Sequence, residues 1–147
     1  MDHVAILSKG KKRLLDKIVK GEKTIESRWY VNKVAPWEKI NSGDRVFFKE
    51  TGEKVTAVTT VAKVLQFENL NPVSIANILQ RYGKEIGFDN NNQGHVEWQN
   101  DLKSKNYCIL IFLKDVKKTE PFEINKKGFG VSSAWLCVNN ILNVKIT

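Results

Sequence analysis

Two spacings of apolar residues organise the chain. "VAIL" at 4–7 has the look of a short first strand, after which Leu14, Leu15, Ile18 and Val19 recur at the interval of one helical face among lysines. Gly21 supplies the left-handed residue that closes such a helix, and Lys17 and Lys20 suit the negative end of its dipole. From Thr24 to Tyr30 the period changes to two: Ile25, Ser27 and Trp29 alternate with Thr24, Glu26 and Arg28, which predicts a strand. Strict strand parity places Lys23 on the Ile25 face. It joins Glu26 and Arg28 only if it still belongs to the turn after Gly21.

A loop carrying Pro36 and Trp37 leads to the turn Ser42-Gly43-Asp44, which opens a strand over 45–50. "TGEK" at 51–54 reads as a hairpin turn into "VTAVTTVAKVLQF", a β-branched partner strand long enough to bend across a barrel. Asn71 as N-cap, Pro72 at the first helical position and apolar Ile75, Ile78 and Leu79 predict a helix that Gly83 stops. "DNNNQG" at 89–94 reads as a polar loop, and "HVEWQNDLKSK" at 95–105 as a further helix packing Val96, Trp98 and Leu102. The last third offers a buried strand at 106–113, then "PFEI", a flexible "KKGFG" turn, "AWLCV" and "ILNVKI", all short and β-leaning. Strands bracketing two or three helices predict one α+β domain over 1–147, a small mixed β-barrel with flanking helices and its sheet edges closed on themselves.

Composition narrows the partners. A hydrophobic content of 41% argues for a folded core, and 24 Lys and Arg against 16 Asp and Glu give a net charge of +8. With a pI near 9.5, the chain suits polyanions, nucleic acid or anionic lipid among them. The longest apolar run, "YCILIFL" at 107–113, is far short of the ~20 residues a membrane helix needs, so no membrane association is expected. The opening "MDHVAILSKGKK" carries an acid where a secretory signal has a basic region, which predicts a cytoplasmic protein. Cys108 and Cys137 lie in apolar, strand-like segments, and His3 and His95 are not at metal-ligand spacing from them. Two buried reduced thiols are expected, a single bridge between them being the alternative, with no metal and no cofactor.

The chemistry concentrates in "GEKTIESRWY" at 21–30, where Lys23, Glu26 and Arg28 crowd between a helix stop and two large aromatics. The pattern Gly21-x-Lys23-x-x-Glu26-x-Arg28, with Ser42-Gly43-Asp44 some fifteen residues further on, resembles the signature of the ASCH family over residues 4–66. The resemblance implies a PUA-like β-barrel and a cleft, lined by the signature charges, that meets RNA or a nucleotide. From the residues themselves, Lys23 and Arg28 suit phosphate, Arg bidentately, while Glu26 orients Arg28 or accepts from a base amino group. Trp29, Tyr30 and Trp135 offer planes for base stacking, each worth ~1 to 3 kcal/mol where realised.

A plainer reading accompanies each of these. Glu26 with Arg28 on one strand face also makes a surface ion pair worth ~0 to 1 kcal/mol, and Trp29 and Trp135 also suit the core. Lys9, Lys11, Lys12, Arg13, Lys126 and Lys127 are either solvated or a phosphate-tracking rim that would make binding salt dependent. "KKGFGVSSAW" at 126–135 is either a hairpin turn or a loop over the cleft, with Ser132 or Ser133 as the contact.

The resemblance also implies an enzymatic alternative. Some ASCH proteins are amidohydrolases of acetylated cytidine, using the signature lysine, a threonine three residues on and a distant glutamate; here Lys23, Thr24 and Glu26 are the candidates, and Thr24 stands one residue after the lysine. Others resemble metal-independent ribonucleases that add a tyrosine in the preceding helix and a late serine. Ser132 or Ser133 fits the latter, while no tyrosine occurs between residues 9 and 20. Glu22 and Glu26 beside Lys23 favour its ammonium form, against a role as base, and Arg28 pulls the other way. An RNA- or nucleotide-binding module is therefore the first expectation, and a hydrolase of a modified nucleoside or of RNA the second.

Overall fold

The computed structural model describes residues 1–10, 13–88, 93–130 and 132–146, with the backbone alone described over 93–96. Lys11, Lys12, the polar stretch 89–92 and the packing of Val96 lie outside the described residues. The elements are β1 (Asp2–Leu7), α1 (Leu14–Val19), β2 (Ile25–Tyr30), β3 (Arg45–Glu50), β4 (Val55–Phe67), α2 (Pro72–Ile86), α3 (Gln93–Leu102), β5 (Tyr107–Ile124), β6 (Trp135–Asn139) and β7 (Lys145–Ile146).

The strands form one sheet in the order β2-β5-β4-β3-β1-β6, with β7 added to β5. Only β1 and β3 run parallel; the other pairings are antiparallel. The long β4–β5 ladder changes register three times, between Val55 and Ala57, Val58 and Thr60, and Val61 and Lys63. Such bulges bend a strand and increase its twist, so the sheet curls into a half-barrel flanked by three helices, the small mixed α+β barrel that the pattern predicts.

Alternation along each strand then sorts the core. Inside the curl, Ala5 and Leu7 of β1, Val46 and Phe48 of β3, Ile109 and Ile111 of β5 and Trp135 of β6 pack with Leu15 and Ile18 of α1. On the opposite face of β2 and β5, Ile25, Trp29, Cys108 and Leu110 meet Ile75, Ile78 and Leu79 of α2 and Leu102 of α3. Complete burial of a side chain such as Ile109 or Leu110 contributes about 1.5 to 3 kcal/mol, so these two layers hold the elements that carry β2.

Four expectations change. Gly83 does not stop α2: the helix runs on to Ile86 and is closed by Gly87 at φ 93°, while Gly83 stays helical and lets Phe88 pack against it. The segments 106–113 and 121–124 are one strand, because pairing with β4 continues across the lysine-rich stretch between them. "ILNVKI" is a 3-10 turn at Ile141–Asn143 before a two-residue strand, since Asn140 accepts from the Leu142 amide at 2.9 Å and Asp2 from the Ile141 amide at 2.8 Å. The sheet edges, too, are closed differently from expectation: β2 and β6 end the strand path, and side chains rather than a backbone ladder cross the seam between them.

Candidate functional site

The seam is where the signature residues meet. Helix α1 ends in a Schellman turn: Gly21, at φ 79°, donates to Ile18 O at 3.1 Å and Glu22 to Lys17 O at 2.9 Å. The Lys23 amide also reaches Lys17 O, at 3.0 Å, so Lys23 belongs to the turn and escapes the parity of β2. Its Nζ donates to the carbonyls of Ile25 and Ile86, both at 2.7 Å, and stands 3.4 Å from Glu26 Oε1. The Ile86 carbonyl lies at the C-terminus of α2, where the helix dipole favours a cation.

Glu26 continues the line. Its Oε1 accepts the Ser27 amide at 3.1 Å, which satisfies a donor of its own strand, and its Oε2 accepts Arg28 Nη2 at 3.2 Å. Arg28 then spans the seam: Nη1 donates to Ala134 O at 3.2 Å and Nη2 to Ile6 O at 3.3 Å, with the guanidinium 5.1 Å from the Trp135 ring centroid. The side chains of Lys23 and Glu26 are 2% and 5% exposed and that of Arg28 is 12% exposed, so this is no surface ion pair.

Burial sets the acid–base character. It pushes the Lys23 ammonium below the ordinary lysine range against the pull of Glu26, and Arg28 and Lys17 add to the lowering. Sequence neighbours alone pointed the other way, because they do not reveal desolvation. Burial pushes the Glu26 carboxyl up, but Lys23 and Arg28 together outweigh it and hold it below the usual carboxylate range. Burial also raises the Tyr30 phenol, with Arg28 opposing.

A cleft of about 480 Å³ opens over these groups along the outer edge of β2. Lys23, Glu26, Arg28 and Trp29 all line it, so the structure brings those four together. The remaining sequence-derived positions lie elsewhere. Thr24 is exposed outside the cleft, its amide bonded to Glu85 O and its carbonyl to the Leu113 amide, both at 2.9 Å. Ser132 and Ser133 do not line the cleft; the Ser133 hydroxyl donates to Phe129 O, and it is the carbonyl of Ala134 that reaches the site. Trp135 is buried beneath Arg28, and Lys9 and Arg13 pair with Glu53 and Asp16.

Sequence reasoning missed the opposite wall, made by Phe88 after Gly87 and by Trp98, Asp101 and Lys105 on or just past α3. The intervals of three, four and seven residues that place Trp98, Asp101, Leu102 and Lys105 on one helical face were the available signal. Trp98 meets Trp29 edge-on at 6.0 Å and Phe88 at 5.9 Å, giving a continuous aromatic wall. Trp29 Nε1 is buried with no hydrogen-bond partner among the described residues.

With this geometry in view, comparison with solved structures decides the fold. The crystal structure of ASCH from Zymomonas mobilis superposes with a TM-score of 0.62 over 91% of this chain and 85% of that one, at 17% identity. The fold is that of ASCH domains. A serine-to-alanine variant of the same Zymomonas protein gives 0.62 over 91% and 85% at 18% identity. The hypothetical protein PH0355 gives 0.50 over 82% and 99% at 16% identity. No family model matches the sequence, and no curated protein does. In this α+β barrel the cleft lies along the open seam beside β2. Among the described residues no helix is long and apolar enough to cross a membrane, and no group of three acidic, His or Cys side chains could hold a metal ion.

Proposed function

We propose that the chain is a single ASCH-type domain that binds RNA or a nucleotide, a base lying in the cleft against the Trp29–Trp98 wall. One observation carries this reading: an ammonium, a carboxylate and a guanidinium converge beneath a concavity walled by aromatic rings. The charges divide the work. The hydrogen bonds of Lys23 go to two carbonyls and it also pairs with Glu26, so it orients Glu26 and the end of α2 instead of reaching for phosphate. Glu26 keeps acceptor capacity for a base amino group, and Arg28 with Lys105 supplies positive charge toward the sugar-phosphate. A reducing, cytoplasmic setting suits the two free cysteines.

The test is retention of short single-stranded RNAs, nucleotides and modified nucleosides at low and high salt, for the native chain and for Arg28→Ala. Binding that weakens with salt and with Arg28→Ala supports the reading. Absence of binding to every probe, or identical binding by both proteins, overturns it.

The lowered Lys23 pKa favours a second reading, a small hydrolase of acetylated cytidine or of RNA, because a lysine must lose its proton readily to act as base. Thr24 lies outside the cleft, whereas the hydroxyl-bearing residues Ser27 and Tyr30 line it. Product formation from acetylated cytidine or RNA, abolished in a folded Lys23→Ala variant, is the result this reading requires.

A further inference from the structure

The Gly43-Asp44 turn belongs to the family signature, yet Asp44 has no place in the cleft. Its Oδ2 accepts from His3 Nε2 at 2.9 Å and from the Asn41 amide at 3.0 Å, and its Oδ1 lies 3.4 Å from the Met1 amine. His3, on β1, is fully buried. Its other ring nitrogen, Nδ1, accepts the indole Nε1–H of Trp135 at 3.1 Å. An imidazole that accepts at Nδ1 carries its proton on Nε2, so the indole and the carboxylate between them select one neutral tautomer and one ring orientation. The two rings are tilted by 55° at 5.7 Å, and the far side of the line is the Arg28 guanidinium, 5.1 Å from the Trp135 centroid.

Four side chains thus run in contact from the turn to the cleft: Asp44, His3, Trp135, Arg28. Glu26 Oε2 and the carbonyls of Ala134 and Ile6 hold the Arg28 nitrogens through long hydrogen bonds of 3.2, 3.2 and 3.3 Å. Bonds of that length leave the guanidinium play in its tilt, and the aromatic face beneath it takes up that play. An indole free to rock would let that tilt vary. Neither the charge pattern of the signature nor the ligand reading assigns any role to His3.

We propose that His3 is a positioning residue for the cleft: locked by Asp44, it holds the Trp135 indole at the angle that presents the Arg28 guanidinium to the ligand. The proposal rests on the reading of Arg28 as a ligand-facing group and explains why a strand-opening aspartate outside the cleft accompanies the charged triad.

The experiment compares His3→Leu with His3→Gln, whose amide offers an acceptor and a donor as the neutral imidazole does. Nitrogen-15 NMR of the Trp135 indole and Arg28 side-chain N–H groups is recorded beside the affinity for a short RNA and for a nucleoside. In His3→Leu the indole signal moves to an unbonded position, the Arg28 signal shifts, and affinity falls roughly three- to thirty-fold; His3→Gln restores all three. A folded His3→Leu with native Arg28 signal and native affinity overturns the proposal. Should His3→Leu not fold, Trp135→Phe, which keeps a ring and deletes the N–H, must show the same loss, and native behaviour there overturns it equally. If the native chain binds none of the probes, the nucleic-acid reading fails on its own, while the Arg28 signal still decides the positioning: moved in Leu and returned in Gln supports it, unmoved overturns it.

Discussion

The ammonium nitrogen of Lys23 lies 2.7 Å from the carbonyl oxygen of Ile86, tying the segment before β2 to the last turn of α2. The same nitrogen donates to Ile25 O and pairs with Glu26. Lys23 is therefore both a wall of the cleft and a clamp between two elements, and a loss of function on its removal does not by itself distinguish chemistry from support. Stability must be measured on the same variants.

Replacing Lys23 by Met leaves Glu26 buried with Arg28 as its one remaining cation, and removing one partner of a buried pair is more damaging than never having built it. Lys23→Met is expected to cost about 3 kcal/mol in urea unfolding, and adding Glu26→Gln to recover part of that. Simple additivity of the two changes would show that the pair is not coupled.

Acid should lower the stability of the protein over two pH ranges. Burial lowers the His3 pKa from 6.5, with Asp44 opposing, so the unfolded chain takes the proton first and stability falls as pH drops below about 6.5 toward the folded value. Glu26, Asp2 and Asp44 follow. Burial raises each, but Lys23 and Arg28, Arg45, and His3 respectively outweigh it, so each sits below its ordinary value of 4.5 or 3.8. Their stabilisation is present above that range and is lost as pH falls through their folded values. Urea midpoints across the acid range check this; a midpoint flat between neutrality and the carboxylate range would contradict the His3 step.

The charged triad was legible because its members are close in sequence and α1 ends at a glycine that no other residue replaces easily. Strand alternation gave the right faces for Ile25, Glu26, Arg28 and Trp29. What could not be read was the partner side of the cleft. Phe88 meets Trp98, and through it Trp29, from a position just past Gly87, where α2 ends instead of at Gly83, and an isolated glycine in a helical pattern does not announce whether it stops the helix. Ser132 and Ser133 misled for a related reason. Their hydroxyls suggested contacts, whereas the loop delivers the backbone carbonyl of Ala134, which every residue type supplies.

Gly83 and Gly87 should respond differently to alanine. Gly87 needs its φ of 93°, where an L side chain costs about 1 to 2 kcal/mol, and a Cβ there would stand 3.8 Å from Lys23 Cδ. Gly83 lies in ordinary helical conformation, where alanine gains ~1 kcal/mol of propensity against a 3.4 Å approach to Phe88 Cδ1. Gly87→Ala should lower the melting temperature through the strained φ, since 3.8 Å is an ordinary contact distance, and Gly83→Ala should be close to neutral. Equal loss from both would place the end of α2 elsewhere.

The two thiols give a final check on the core independent of any ligand. Cys108 pairs in register with Trp29 across β2 and β5 and is fully buried, which pushes its thiol far above the ordinary range; Cys137 is half-buried and raised less, by burial first. Thiol reagents attack through the thiolate, so both should react slowly in the native protein. Cys137 should label first, and Cys108 only at the rate of global opening, because its strand lies between the α2 layer and the inside of the curl. Both are free, so unfolding in denaturant without reductant should expose two reactive thiols. Native labelling of Cys108 as fast as Cys137 would mean that β2 and β5 separate locally, and the cleft, whose floor is β2, would then open with them.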